Sequence, residues 1–203
     1  MREGVHARFV DGKIHVDLAD GSVLVARSNI CATGIEYRSL GLPEEPALLN
    51  AGLFYGAGSS EAPMCSGEHV FIVGGGNSAG QAAMNFSRHA REVTMLVRGA
   101  SLADTLSRYL IDRIERTPNI TVRYRSAVDA LYGDGWLDAI GIRTDDGPSE
   151  CVPATRLFVC IGGAPNTEWA KDTAIIRNPG GYLVTGTDLY DCPAFERVWP
   201  LER

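Results

Sequence analysis

The sequence predicts an α/β fold in which a parallel sheet is combined with an antiparallel β-meander. Residues 68–124 alternate short apolar segments with amphipathic helical segments, which is typical of parallel strands joined by crossover helices. Residues 7–31 and 128–152 alternate apolar and polar positions around Asp-Gly and Gly-Asp-Gly turns, which is typical of antiparallel strands. A chain of 203 residues has room for one or two small domains of this kind.

Composition and charge exclude several classes of protein. A hydrophobic content of 45% and a charged content of 22% are those of an ordinary globular protein with a core. The net charge of −6 argues against a surface for nucleic acid or anionic membrane. No apolar run approaches the ~20 residues that span a bilayer, and the N-terminus lacks the apolar core of a signal peptide. The five cysteines form no C-x-x-C pair and no metal-ligand spacing, so we expect a reduced, cytoplasmic protein without a metal.

The N-terminal part is predicted to hold a small meander followed by a linker. Its strands are predicted at residues 7–10, 13–18, 23–26 and 29–31. Three small residues close the last strand, namely Ala32, Thr33 and Gly34. Residues 35–66 are rich in proline, glycine and serine, which is typical of a loop and linker.

A glycine turn between an apolar strand and a small-residue helix is the most informative motif. The strand at 70–73 ends in Gly74, and a helix is predicted at 78–89. Such a turn directs backbone N–H groups and a helix N-terminus at a pyrophosphate. Gly74 permits the tight turn, Gly76 lets the backbone approach the phosphates, and Ala79 is the third small position, where helix and strand pack closely. We predict a dinucleotide site here, against the alternative of a purely structural turn, at Gly74, Gly75, Gly76, Asn77, Ser78 and Ala79.

The residues after the next strand, 92–97, indicate which dinucleotide binds. A site for NAD usually places Asp or Glu at this strand end, where the carboxylate accepts hydrogen bonds from the ribose 2′-hydroxyl. This chain has Arg98 there, and a guanidinium suits a 2′-phosphate. Ser101 adds a hydroxyl. We therefore predict NADPH in preference to NADH, with a solvated surface arginine as the alternative reading of Arg98.

The remaining elements follow in order along the chain. A helix is predicted at 102–116, with Ser101 as N-cap and Asp104 three residues later. Four apolar residues at helical spacing mark its buried face, namely Leu102, Leu106, Leu110 and Ile114. Strands are predicted at 120–124, 128–132, 137–143, 151–152, 157–161 and 182–185, and the continuous apolar run at 157–161 indicates burial on both faces.

Three motifs in this order resemble the flavin-dependent pyridine nucleotide–disulfide oxidoreductases, most closely thioredoxin reductase-like proteins. They are residues 31–34 followed by Tyr37 and Arg38, the turn at 74–79, and the run at 162–167. The resemblance implies a Rossmann-like NADPH-binding domain at 67–164, inserted into an FAD domain to which 1–66 and 165–203 belong. It also implies that Ala32, Thr33 and Gly34 lie near FAD, and that Gly162 and Gly163 let backbone approach the nicotinamide of NADPH.

The chain departs from that family in three respects. It has no N-terminal strand–GxGxxG–helix and no Gly-Asp segment near its end, so we expect part of a longer parent and regard FAD binding by this chain alone as doubtful. The redox C-x-x-C aligns with Gly56 and Ser59, which carry no thiol, and Cys65 nearby is either reactive or simply packed. Only Arg98 represents the several basic residues that often surround the 2′-phosphate, so the preference for NADPH is expected to be modest.

These observations leave two functions open. In the first, the intact parent passes a hydride from NADPH to FAD and then electrons to an unknown acceptor other than an internal disulfide, whereas the isolated chain is inactive. In the second, the chain is a non-catalytic module that binds or senses NADPH or acts as a scaffold. A short-chain dehydrogenase or methyltransferase is disfavoured, since no Tyr-x-x-x-Lys follows at a suitable spacing. We name no catalytic residue, and we expect uncovered apolar surface at 23–32 and 157–161 to cause self-association, for example as a homodimer.

Overall fold

The computed structural model describes residues 2–58, 60–193 and 195, and these divide into two compact units. The central unit is Tyr37–Gly162. The discontinuous unit consists of the described residues of Met1–Glu36 and Gly163–Arg203. The described residues of 37–66, which were predicted to belong to the flavin-domain segment, therefore fold with the central unit.

The described residues include thirteen strands, three α-helices and three 3₁₀ helices, the last at Ala62–Cys65, Glu168–Ala170 and Gly186–Asp191. The strands are β1 Gly4–Val10, β2 Lys13–Leu18, β3 Val23–Ala26, β4 Ile35–Tyr37, β5 Leu53–Tyr55, β6 His69–Val73, β7 Glu92–Val97, β8 Ile120–Tyr124, β9 Ser126–Tyr132, β10 Ala139–Thr144, β11 Ser149–Pro153, β12 Leu157–Val159 and β13 Gly163–Pro165. The helices are α1 Glu45–Leu48, α2 Asn77–Phe86 and α3 Arg108–Glu115. None of them is long and apolar enough to cross a membrane.

A five-stranded parallel sheet organises the central unit, in the order β5-β12-β6-β7-β8. Side chains of β6 alternate between its two faces, as the period of a strand requires. Val70 and Ile72 pack with the apolar side of α2, including Ala83 and Phe86. Phe71 and Val73 pack on the opposite face with residues of the antiparallel sheet β11-β10-β9. The predicted α/β fold is thus confirmed, with α2 and α3 on one face of the sheet and the antiparallel sheet on the other.

The central position of β12 contradicts one expectation about exposed surface. β12 pairs in parallel with β5 on one side and with β6 on the other. Leu157, Phe158 and Val159 are consequently almost completely buried. The prediction of an uncovered apolar surface at 157–161 is therefore wrong for these three residues.

The segment at 35–66 is more ordered than a linker. It contains α1 and β5, and β5 joins the parallel sheet next to β12. A buried carboxylate, that of Glu45, accepts hydrogen bonds from the Tyr55 hydroxyl and from the Leu42 N–H. The Tyr55 oxygen also accepts from the Leu40 N–H at 2.9 Å. This network fixes the loop before α1, and burial beside Glu45 raises the pKa of Tyr55 to about 12.

The helix predicted at 102–116 begins later, at Arg108. Leu102 and Leu106 are buried as expected, but they lie on a turn closed by the Leu106 N–H and the Leu102 carbonyl. The Ser101 hydroxyl accepts from the Ala103 N–H, so the prediction that Ser101 caps this helix is wrong. Leu110 and Ile114 do lie on the buried face of α3.

The discontinuous unit contains the antiparallel sheet β1-β2-β3 and the pairing of β13 with β4. No strand forms at 29–31, and the segment at 182–185 makes only a bridge between Arg177 and Leu183. Val23, Leu24 and Val25 on the edge strand β3 are about half exposed. The expected apolar surface at 23–32 is therefore present, whereas self-association stays a prediction.

Candidate functional site

A cavity of about 450 Å³ opens at the carboxyl ends of β6, β7 and β12 in the central unit. This is the edge of a parallel sheet at which α/β proteins bind their ligands. The cavity brings together eight of the residues predicted from the sequence, namely Gly74, Gly75, Gly76, Asn77, Ser78, Arg98, Ser101 and Gly162. It is also lined by Asp104, Thr105 and Cys160, which were not predicted from the sequence to belong to the site.

Gly74 and Ala79 serve the packing beneath this cavity. Gly74 has a φ of +140°, and a Cβ on it would lie 2.4 Å from the Cys160 carbonyl oxygen. The same Cβ would lie 3.1 Å from Cβ of Ala79, which is completely buried and does not line the cavity. Both positions must therefore be small for β6, α2 and β12 to approach one another.

Gly76 differs, because packing does not require it to be glycine. Its φ of −93° suits any residue, and a Cβ placed on it would meet no atom within 4 Å. Gly76 is the N-cap of α2, and no side chain caps the first turn of this helix within the described part of the chain. The first N–H groups of a helix lack partners within the helix and carry partial positive charge. The arrangement can therefore bind an anion that approaches the backbone closely.

The loop before α3 contacts the glycine turn through two hydrogen bonds. The Thr105 hydroxyl donates to the Gly75 carbonyl oxygen at 2.7 Å. The Asn77 side-chain oxygen accepts from the Ser107 N–H at 2.9 Å. The predicted residue Asn77 thus holds the loop through its side-chain oxygen, and its backbone N–H and side-chain NH2 group are left for a ligand.

Charged and polar groups lie at the rim of the cavity after β7. Arg98 is exposed and forms no hydrogen bond or ion pair with any residue that the structure describes. The Ser101 hydroxyl accepts from the Ala103 N–H and still has its own proton to donate. Asp104 is exposed on the same cavity. Among the residues that the structure describes, the rim therefore offers one free cation, Arg98, and one carboxylate, Asp104, of which only the cation was predicted from the sequence.

The two glycines after β12 lie in different surroundings. Gly162 has a φ of +82°, lines the cavity, and would place a Cβ in open space. Gly163 belongs to the discontinuous unit, where a Cβ would lie 2.4 Å from the Glu36 carbonyl oxygen. Gly163 is thus explained by the pairing of β13 with β4. Between β12 and Gly162, burial raises the pKa of the Cys160 thiol to about 11, so this thiol stays protonated at neutral pH.

The small residues assigned to FAD lie in the discontinuous unit. The Asn166 backbone N–H donates to the Gly34 carbonyl oxygen at 3.1 Å, and its side-chain amide donates to the Thr33 carbonyl oxygen at 3.1 Å. Ala32, Thr33 and Gly34 are all exposed, and Gly34 has a φ of +68° with open space beside it. Two of the motifs identified in the sequence, residues 31–34 and 162–167, are therefore joined directly by hydrogen bonds.

The positions aligned with the redox C-x-x-C carry no thiol. Gly56 has a φ of +79°, and a Cβ on it would lie 2.8 Å from the Tyr37 hydroxyl oxygen. Ser59 lies outside the described residues. Cys65 is 1% exposed in the core, and burial raises the pKa of its thiol. Both observations favour the interpretation of Cys65 as a packed core residue over that of a reactive thiol. All five cysteines are free thiols.

Comparisons with known proteins agree with this architecture. The F component of alkyl hydroperoxide reductase from Staphylococcus epidermidis is 28% identical over 187 residues, which cover 90% of this chain and 36% of that protein. A protein named NADH dehydrogenase from Ferdinandcohnia aciditolerans is 32% identical over 173 residues, which cover 84% of this chain and 32% of that protein. The chain therefore spans about a third of the length of these curated relatives.

Solved structures show the same fold. Thioredoxin reductase from T. acidophilum matches with a TM-score of 0.73 and 22% identity, over 92% of this chain and 60% of that one. Thioredoxin reductase from Streptococcus pyogenes matches with a TM-score of 0.75 and 24% identity, over the same shares. The family model described as pyridine nucleotide-disulphide oxidoreductase matches residues 2–199. The chain therefore belongs to the pyridine nucleotide-disulphide oxidoreductase family.

Proposed function

We propose that the cavity binds NADPH and that this chain is the pyridine-nucleotide-binding part of a flavoprotein oxidoreductase. The observation that carries the proposal is the glycine at position 76. Neither its conformation nor its packing requires a glycine, yet a side chain there would stand at the uncapped N-terminus of α2. A pyrophosphate that needs the backbone N–H groups explains why the side chain is missing.

The preference for NADPH rests on Arg98. A guanidinium with no partner among the described residues is available for bidentate hydrogen bonds to a 2′-phosphate. The Ser101 hydroxyl supports the same interaction. Asp104 opposes it, because its carboxylate repels a phosphate and accepts hydrogen bonds from a ribose hydroxyl. We therefore assign a modest preference for NADPH over NADH.

We assign hydride transfer from NADPH to FAD to the intact flavoprotein. FAD, when bound, supplies the redox chemistry, and the protein supplies binding and orientation. We place Ala32, Thr33 and Gly34 next to FAD, since these small, exposed residues leave room for a flat ring. Gly162 lines the NADPH cavity, whereas Gly163 contributes through the pairing of β13 with β4. The electron acceptor is other than a C-x-x-C disulfide at positions 56 and 59, because Gly56 and Ser59 carry no sulfur.

The two compact units correspond to two roles in this proposal. The central unit, which contains most of the predicted NADPH-binding domain at 67–164, binds NADPH. Of the FAD-domain parts predicted at 1–66 and 165–203, the discontinuous unit supplies the described residues of 1–36 and 165–203, whereas those of 37–66 belong to the central unit. The reducing, cytoplasmic location and the homodimer stay predictions.

A test of this proposal measures the affinity for both nucleotides by fluorescence titration. We expect the wild-type chain to bind both NADPH and NADH. In Arg98→Ala we expect the affinity for NADPH to fall about tenfold while the affinity for NADH changes less than about twofold. Arg88→Ala is the matched control, because Arg88 is an exposed arginine of the same unit outside this cavity. Equal losses for both nucleotides in Arg98→Ala would refute the role of Arg98 in cofactor choice.

A second function, a non-catalytic NADPH-binding, sensing or scaffold module, is favoured by the missing thiols at the C-x-x-C positions. The two functions are distinguished by a visible spectrum of the intact parent protein after incubation with FAD and desalting. A retained flavin band, together with NADPH-dependent bleaching, supports the oxidoreductase. A colourless parent protein that binds NADPH supports the module.

A further inference from the structure

The loop at 102–107 lies against the glycine turn and supports it. Its ends are anchored by Leu102 and Leu106, which are 2% and 5% exposed. The Leu106 N–H donates to the Leu102 carbonyl oxygen at 2.8 Å, which closes the loop on itself. From this support the Thr105 hydroxyl reaches the Gly75 carbonyl oxygen at 2.7 Å. The hydrogen bond therefore joins a fixed donor to a turn that is rich in glycine.

That hydrogen bond also determines the direction of a neighbouring N–H group. The Gly75 carbonyl and the Gly76 N–H belong to one planar trans peptide, so they point in opposite directions. Peptide planes between glycines rotate more freely than others, because no Cβ restricts the dihedral angles. A rotated plane would present the carbonyl oxygen to the cavity, and its partial negative charge would repel a phosphate. The Gly76 N–H has no acceptor among the residues that the structure describes, so it is left for a ligand.

We propose that Thr105 is a positioning residue for pyrophosphate binding. Its hydroxyl holds the Gly75 carbonyl oxygen and thereby keeps the Gly76 N–H available to the phosphates. Thr105 acts through the peptide plane and need not touch the phosphates itself. This role rests on the proposed function of the cavity.

The test compares Thr105→Val and Thr105→Ser with the wild-type chain. Valine keeps the shape of threonine but removes the hydroxyl, whereas serine retains the hydroxyl. Affinities are measured for NADPH, for ADP-ribose, which retains the pyrophosphate, and for adenosine 2′-monophosphate, which lacks it. Thr117→Val is the matched control, because the Thr117 hydroxyl donates to the Arg113 carbonyl oxygen at 2.8 Å in the same unit but away from the cavity.

In Thr105→Val we expect the affinities for NADPH and ADP-ribose to fall about three- to tenfold, while the affinity for adenosine 2′-monophosphate changes less than about twofold. Thr105→Ser is expected to retain most of the wild-type affinity for NADPH and ADP-ribose. Thr117→Val is expected to leave the affinities for all three ligands unchanged. Unchanged affinities in Thr105→Val, or equal losses for all three ligands, would overturn the positioning role. If the wild-type chain binds no pyridine nucleotide, the proposed function itself fails, and the role of Thr105 fails with it.

Discussion

Two glycines of the same turn are expected to respond in opposite ways to the same substitution. In Gly76→Ala the new methyl group enters open space, and the backbone at φ −93° accepts alanine. Alanine reduces the entropy of the unfolded chain, which stabilises by about 0.4–1 kcal/mol, and is a poorer N-cap, which costs a similar amount. We therefore expect the free energy of unfolding to change by less than about 0.5 kcal/mol. The affinity for NADPH is nevertheless expected to fall by about tenfold or more, because the methyl group occupies the place of the phosphates.

In Gly74→Ala the methyl group would lie 2.4 Å from the Cys160 carbonyl oxygen, which is a backbone atom that side-chain rotation cannot move. The φ of +140° adds strain for any residue with a Cβ. We expect a loss of about 2–4 kcal/mol in the free energy of unfolding. Urea unfolding followed by circular dichroism, with NADPH titration of each variant, separates the two effects. Wild-type affinity in Gly76→Ala would refute the close approach of phosphate to the backbone, and wild-type stability in Gly74→Ala would refute the packing argument.

Two further predictions concern the stability of the central unit. Tyr55→Phe removes the hydroxyl that donates to the buried Glu45 carboxylate. We therefore expect the free energy of unfolding, measured in urea, to fall by about 1–3 kcal/mol. A decrease below about 0.5 kcal/mol would contradict the role of this hydrogen-bond network. Burial lowers the pKa of His69 more than Glu92 raises it, so the unfolded chain takes up a proton first as the pH falls. Neutral His69 therefore contributes its full share of the free energy of unfolding above the ordinary pKa of histidine, about 6.5, and this share should decrease as the pH falls below that value. His69→Gln should flatten this pH dependence between about pH 7 and 5, and an unchanged slope would exclude His69 as its source.

The sequence predicted the parts of the site that are local in the chain. The strand β6, the glycine turn and the buried face of α2 follow from the apolar pattern and the small residues between 70 and 86. Arg98 was found because it directly follows β7. These features depend on neighbours a few residues away, which a single sequence shows.

The features that were missed depend on distant contacts. The leucine spacing of Leu102 and Leu106 predicted a helix, but this loop adopts a turn whose Thr105 bonds to Gly75, thirty residues earlier. Asp104 reaches the cavity only because of that turn. The short strand β5 has no distinct pattern of its own and forms because β12 pairs with it from much later in the chain.

The place of β12 in the parallel sheet also constrains how the chain folds as it is synthesised. β5 and β6 lie close in the sequence, yet they are separated in the sheet by β12, which leaves the ribosome about a hundred residues after β5. Until then the facing edges of β5 and β6 lack their partner, and closing so long a loop is slow. The nascent chain therefore completes its central unit only when residues 157–159 have emerged, so residues near the end of this unit also limit its assembly.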